Sequence, residues 1–225
     1  MSAMRGESQL REAICRVGAS LFARGYVHAT AGNISVRLDD GYLITPTDAC
    51  LGTLDPARLA RLDAQGTQTG GDPASKTLAL HRRIYDAARR FDAGTACVIH
   101  THSTHCVALT LDGGDAHELL PPITPYFVMK VGHVPVIPYH RPGAPEAAEA
   151  VAQAVAHYGE RGTPIRAVML SRLGPKVWHD TPEQAMAVLE ELEESARLHL
   201  LTGRATTALP DPAIDDLRRA FGARW

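Results

Sequence analysis

Apolar residues recur at helical spacing from Leu10 to Arg24, where Leu10, Ile14, Val17, Leu21 and Phe22 line one face and Gly25 supplies the stop. The pattern then changes period. Ile34 to Leu38 and Tyr42 to Thr45 read as two strands joined by the turn Asp39-Asp40-Gly41, with Pro46 ending the second. Leu59 to Asp63 and Thr67 to Thr69 suggest a further short hairpin, followed by the breaker cluster Gly70-Gly71-Asp72-Pro73. A helix is predicted from Ser75 or Lys76 to Arg90. Thr95 to His100 is an apolar run of strand length, and His102 to Leu111 reads as helix. Pro121 to Pro138 is irregular and rich in Pro, Tyr, Phe and Val, which predicts an ordered loop with a short helix. Glu146 to Tyr158 is Ala-rich helix. Ile165 to Ser171 and Lys176 to His179 are strands about a Leu173-Gly174-Pro175 turn. Thr181-Pro182-Glu183-Gln184 is a capping box that opens a helix running to Leu201. A short helical pattern, Asp211 to Phe221, follows in a tail expected to be peripheral from about residue 208.

No repeat or linker interrupts this pattern, so residues 1–225 read as one α/β domain with a hairpin-rich, mixed sheet and helices on its faces. Strands do not alternate strictly with helices, which disfavours a doubly wound fold, and the Gly32 loop is no dinucleotide fingerprint.

Composition narrows the classes. The 225 residues are 45% hydrophobic and 21% charged with a formal net charge of −2, so no large electrostatic term favours nucleic acid or an anionic membrane. No apolar run reaches the length of a membrane span, and the polar start Met1 to Gln9 lacks the apolar stretch of a signal peptide. Cys15, Cys50, Cys97 and Cys106 contain no C-x-x-C pair and read as buried thiols of a reducing compartment. A cytoplasmic location is therefore expected. Eleven histidines stand against 5% aromatic residues, and that surplus directs attention to possible metal chemistry.

The strongest local signal is Val98-Ile99-His100-Thr101-His102-Ser103-Thr104-His105. Residues two apart on a strand share a face, so His100 and His102 aim two imidazoles at one point, an arrangement suited to zinc or another first-row divalent ion. The same residues also suit a polar strand end that caps a helix. Thr30-Ala31-Gly32-Asn33, Thr45-Pro46-Thr47-Asp48 and Pro73-Ala74-Ser75-Lys76 are small polar segments at element ends. Backbone N–H groups near Gly32, the hydroxyls of Thr47 and Ser75 and the Lys76 ammonium suit an anion if they converge, and ordinary caps and turns if they do not.

These segments, with Ile34-Ser35-Val36-Arg37 and the helix leading to His81, resemble the class II aldolase/adducin family in order and spacing from about Leu10 to Leu201. Pro121 to Tyr126, Gly132 to Gly143, Cys50-Leu51-Gly52 with Leu54-Asp55-Pro56, and Glu190 to Glu194 are similar to its 3-oxo-tetronate 4-phosphate decarboxylase branch. The resemblance implies a three-layer α/β/α fold with a mostly antiparallel sheet, and a homotetramer with interfacial sites. It also implies a metal-dependent lyase that takes a phosphorylated β-keto sugar acid to dihydroxyacetone phosphate and carbon dioxide through a metal-held enediolate. By that resemblance His100 and His102 are metal ligands, Gly32, Asn33, Thr47 and Ser75 cradle phosphate, Lys76 is a lysine typical of the branch, and Tyr126 acts at the reacting centre of a neighbouring subunit.

Three positions depart from the family pattern. Thr77 stands where the family carries its acid/base glutamate, and Leu173 where it carries the third metal histidine. Asp48 stands where the aldolases carry glycine. A threonine hydroxyl cannot accept a proton at neutral pH, and a leucine offers a metal nothing. The sequence thus supports a metal-dependent decarboxylase with a remodelled site. The alternatives are a catalytically impaired relative that binds a sugar phosphate or a partner, or an aldolase of a related sugar phosphate.

Overall fold

A computed structural model of the chain describes residues 6–112 and 117–225; the first five residues of the polar start lie outside the described residues. Eight strands form one sheet: β1 (Asn33–Leu38), β2 (Gly41–Ile44), β3 (Ala60–Asp63), β4 (Gln68–Gly70), β5 (Cys97–His100), β6 (Val136–Ile137), β7 (Ala167–Leu170) and β8 (Gly174–His179). Their spatial order is β4-β3-β2-β1-β5-β8-β7-β6, and every pairing is antiparallel except β6 with β7. That one parallel pair needs a crossover, which helix α4 (Pro145–Glu160) supplies. The expected antiparallel, hairpin-rich sheet is what forms.

Two helical layers cover it. Helices α1 (Glu7–Ala23) and α5 (Pro182–Leu201) pack on one face through Ile14, Leu21, Leu189 and Leu192. Helix α2 (Leu78–Ala88) and α4 cover the other through Ile84, Tyr85, Val151 and Val155. Burial on both sides explains why β1, β5 and β8 are near-continuously buried instead of alternating. Two short helices complete the set: α3 (Thr104–Ala108) follows β5, and α6 (Asp211–Phe221) lies near the C-terminus. Leu209 donates its N–H to the Pro122 carbonyl, and Trp225 packs on Phe127 and stacks on His133.

The structure differs from the sequence expectation in three places. Helix α2 begins at Leu78, because the residues before it pair with the end of β2: Thr47 N–H donates to the Pro73 carbonyl and Ser75 N–H to the Thr45 carbonyl. The helix expected over His102 to Leu111 is the five-residue α3. The Pro121–Pro138 segment holds the short helix expected of it, as a π-helical turn at Phe127–Val131, and differs in also holding the short β6, whose flanking prolines disguise it as loop.

Candidate active site

Three adjacent central strands place three polar residues in one row. Asn33 on β1 is paired with His100 on β5, and His100 with Lys176 on β8. Directly opposed residues of antiparallel strands point to the same face, so all three side chains lie beneath α2. They are 7%, 4% and 2% exposed, in a sheet whose next row on that face is Ser35, Val98 and Trp178. From α2, His81 descends onto the row, and its Nε2 lies 3.3 Å from Lys176 Nζ.

A single set of donors satisfies the contacts around His81. The Lys176 amine donates to Nε2, Nδ1–H donates to Ser35 Oγ at 2.8 Å, Ser35 Oγ–H donates to Tyr85 Oη at 2.7 Å, and Tyr85 O–H donates to the Ser35 carbonyl at 3.0 Å. Burial, then the charges of Lys176 and His100, hold the His81 pKa well below the usual imidazole value, so this ring is neutral. Burial alone pushes Lys176 down to about 7. No carboxylate among the described residues forms an ion pair with it.

His100 is fixed from behind: its Nδ1–H donates to the Pro175 carbonyl at 2.9 Å, which leaves Nε2 with a free lone pair. Burial, then Lys176 and His102, lower its pKa well below the usual value. His102 lies past the strand end, half-buried, with its ring centroid 5.0 Å from that of His100. Burial, then His28 and Lys176, lower its pKa too. Two glycines let neighbouring loops press on this segment. Gly32 has φ +86°, and a Cβ there would meet the His100 carbonyl oxygen at 2.9 Å. Gly174 has φ +135°, and a Cβ would overlap the Thr101 carbonyl at 2.0 Å.

The expected anion-binding segments do converge. The start of β1, the end of β2 and residues 73–75 are joined by the Thr45 N–H to Ile34 carbonyl bond, the Thr47 and Ser75 bonds described above and a β-bridge between Pro46 and Ala74. Thr47 and Lys76 are exposed at this rim and Ser75 is half-buried. Ser75 Oγ lies 2.9 Å from Thr77 Oγ1, so Thr77 forms part of the rim network. Asn33 Oδ1 is buried with no hydrogen-bond partner, an acceptor held ready in the row. Asp48 adopts φ +54°, a left-handed conformation natural to the glycine that the resemblance places there and tolerated by Asp.

Other expected residues lie elsewhere. Tyr126 is 61% exposed and opens the turn whose Phe127 and Val131 pack in the α1/α5 layer, opposite the row. His179 alternates with Trp178 and faces away from Lys176. His105 is tied to Glu193, whose Oε1 accepts its backbone N–H at 2.9 Å and its Nδ1–H at 2.8 Å. Leu173 packs with the α2/α4 core. The sequence reading missed Lys176 as chemistry. Its signal was a lone lysine inside the apolar strand Gly174-Pro175-Lys176-Val177-Trp178.

The donor set does not fit the divalent ion that the resemblance implies. Catalytic sites of this kind hold the metal with three protein ligands. Here His100 and His102 supply two nitrogens, position 173 is leucine, and the Lys176 amine, which repels a cation when protonated, shares the row with His100. No cluster of three or more His, Cys, Asp or Glu side chains able to hold a metal is found among the described residues.

Comparison with known proteins gives a consistent family. The profile of the Class II Aldolase and Adducin N-terminal domain matches residues 12–200. The 3-oxo-tetronate 4-phosphate decarboxylase of Cupriavidus necator is 54% identical over 99% of this chain and 100% of its own length. The protein of that name from Escherichia coli is 40% identical, over 88% of this chain and 89% of its own. The crystal structure of YgbL from Escherichia coli superposes with a TM-score of 0.84 at 38% identity, covering 94% of this chain and 99% of that one. Class II aldolases generally depend on a divalent metal. The chain belongs to the class II aldolase and adducin family.

Proposed function

We propose that this chain is a carbon–carbon lyase that decarboxylates a 3-oxo-tetronate 4-phosphate to dihydroxyacetone phosphate and carbon dioxide. The carrying observation is the row Asn33–His100–Lys176 under His81: a basic floor without a carboxylate, beside a rim of small polar residues. A substrate bearing both a carboxylate and a phosphate suits that charge pattern. The similarity to decarboxylases of this name supports the same reading.

Thr77 favours decarboxylation over aldol cleavage. Aldol cleavage begins when a base removes a hydroxyl proton, and Thr77 is no base. Loss of carbon dioxide needs no such base. It needs an acceptor for the electron pair at the neighbouring ketone, and a proton for the carbon afterwards. In this reading the Ser75 and Thr47 hydroxyls, the N–H groups about Gly32 and the Lys76 ammonium hold the phosphate. Asn33 and His100 bind the oxygens near the reacting carbon, and Tyr126 of an adjoining copy closes the site in a homotetramer. Exposure of Tyr126 supports that placement. Zinc is left out of the chemistry because the donors do not suit it. Four free thiols support a cytoplasmic location, and no described helix is long and apolar enough to cross a membrane.

The test is release of carbon dioxide and dihydroxyacetone phosphate in equal amounts from 3-oxo-tetronate 4-phosphate, above the spontaneous rate. Binding of dihydroxyacetone phosphate without turnover would instead make the chain a sugar-phosphate-binding relative. Absence of both binding and turnover overturns the assignment.

A further inference from the structure

We propose that Lys176 is a nucleophile that forms an imine with the ketone of the substrate, so that a covalent electron sink replaces a metal ion. The inference rests on the decarboxylase reading for its substrate, and on the geometry of the row for its chemistry.

The placement is unusual for a structural lysine. Lys176 is 2% exposed on a central strand, between Val168 of β7 and His100 of β5 in the same row. A buried lysine held for stability is normally paired with a carboxylate. Among the described residues its one hydrogen-bond partner is the neutral His81 ring, which accepts an N–H and offers no charge to balance an ammonium. The chain also avoids lysine: of its 23 Lys and Arg residues, only Lys76, Lys130 and Lys176 are lysine. Arginine stays protonated and cannot act as a nucleophile, whereas a desolvated lysine amine can. The side chain is thus the one basic type able to form a carbon–nitrogen bond, placed among the residues that flank the proposed substrate.

The steps balance. The amine nitrogen attacks the ketone carbon, and its proton passes to the carbonyl oxygen by way of His81 Nε2, giving a carbinolamine. A proton from solvent converts the hydroxyl into a leaving water, its oxygen taken from the ketone, and leaves a protonated imine; that proton returns to solvent when the amine is released. The bond to the carboxylate carbon breaks, carbon dioxide departs, and the electron pair enters the imine to give an enamine. Water protonates the hydroxyl-bearing carbon that had carried the carboxylate, which regenerates the protonated imine. A second water then adds to it and the carbon–nitrogen bond breaks, releasing dihydroxyacetone phosphate and the free amine. Water is the only co-reactant, and no oxidant or reductant is required.

The experiment traps the imine in the full-length protein, with dihydroxyacetone phosphate as probe, sodium borohydride as reductant and a chelator present throughout. Reduction leaves a stable amine whose added mass is that of the ketone less one oxygen atom. Peptide mapping has three lysines and the N-terminus to distinguish. The expected result is a single adduct on Lys176, with turnover of 3-oxo-tetronate 4-phosphate surviving chelation and falling by roughly 10³-fold or more in Lys176→Met. Absence of an adduct on Lys176 overturns the proposal, as does Lys176→Arg retaining turnover, since that result makes the residue a fixed charge. Turnover without an adduct leaves the decarboxylase reading standing and removes the imine. An adduct without turnover removes the decarboxylase reading and keeps the nucleophile. Because trapping is read on the unmodified chain, it does not depend on whether a variant folds.

Discussion

Two charged residues are buried on opposite faces of the same sheet, and they are treated differently. Glu193, on α5, is 4% exposed, yet both its oxygens are used. Oε1 accepts the backbone N–H and the Nδ1–H of His105, and Oε2 accepts the Cys106 N–H at 3.1 Å. It ties α3, a helix too short to hold itself, to α5. Lys176, on the other face, is buried as deeply and meets one neutral imidazole. The first charge is compensated and therefore structural. The second is left uncompensated, which costs stability and is the expected signature of a group kept for reaction.

The largest effect that sharpens this contrast is on stability against pH. The Lys176 pKa is lowered from 10.5 to about 7 in the fold, so between those values the unfolded chain binds the extra proton. Stability contributed by this residue therefore rises with pH from about 7 to about 10.5, and below pH 7 its burial penalty is present in full. Lys176→Met is expected to be more stable than the wild type at pH 6 by on the order of 3–5 kcal/mol, with the gap closing towards pH 10. Urea titrations across that range measure it; a gap that stays constant means the lysine is not penalised by burial.

Glu193→Ala should act in the opposite sense. It strands two backbone N–H groups, and a loss of roughly 2–4 kcal/mol is expected in urea, with turnover per folded molecule kept within a few-fold. Loss of turnover with no loss of stability would erase the contrast.

His81 relays a proton between the Lys176 amine and the substrate carbonyl oxygen in this account. His81→Gln should slow borohydride trapping of dihydroxyacetone phosphate by roughly 10–100-fold while leaving its affinity, measured by calorimetry without reductant, within about two-fold. A structural role alone would move affinity and melting temperature together. The smallest effect is at Asn33, whose Oδ1 has no partner within the chain. Asn33→Ala is expected to weaken dihydroxyacetone phosphate binding by about 5–15-fold, the value of one hydrogen bond, with the urea midpoint almost unchanged. A drop in stability with unchanged binding would show instead that the amide serves the fold.

Much of the fold was legible because its signals are local. Period, turn residues and the Thr181 capping box set α1, the β1–β2 hairpin, α4, β8 and α5, each within a few residues of its observed bounds, and Thr181 Oγ1 accepts the Gln184 N–H as its motif requires. Strand β6 was hidden because its two residues lie between prolines and are held by β7, far along the chain. The candidate site divides the same way. His100, Asn33 and the Ser75 segment are recognisable as motifs. Lys176 is not, because its meaning depends on register: only pairing β8 with β5 sets it beside His100, and only α2 brings His81 above it. The substitutions at Thr77 and Leu173 were visible as losses, while the amine that accompanies them appears only when the strands are aligned.

The most direct test of the account is turnover of 3-oxo-tetronate 4-phosphate by the wild-type chain after exhaustive chelation, with metal content verified by elemental analysis. The account predicts an undiminished rate in metal-free protein. A rate that falls to the spontaneous background and returns on addition of zinc would contradict it.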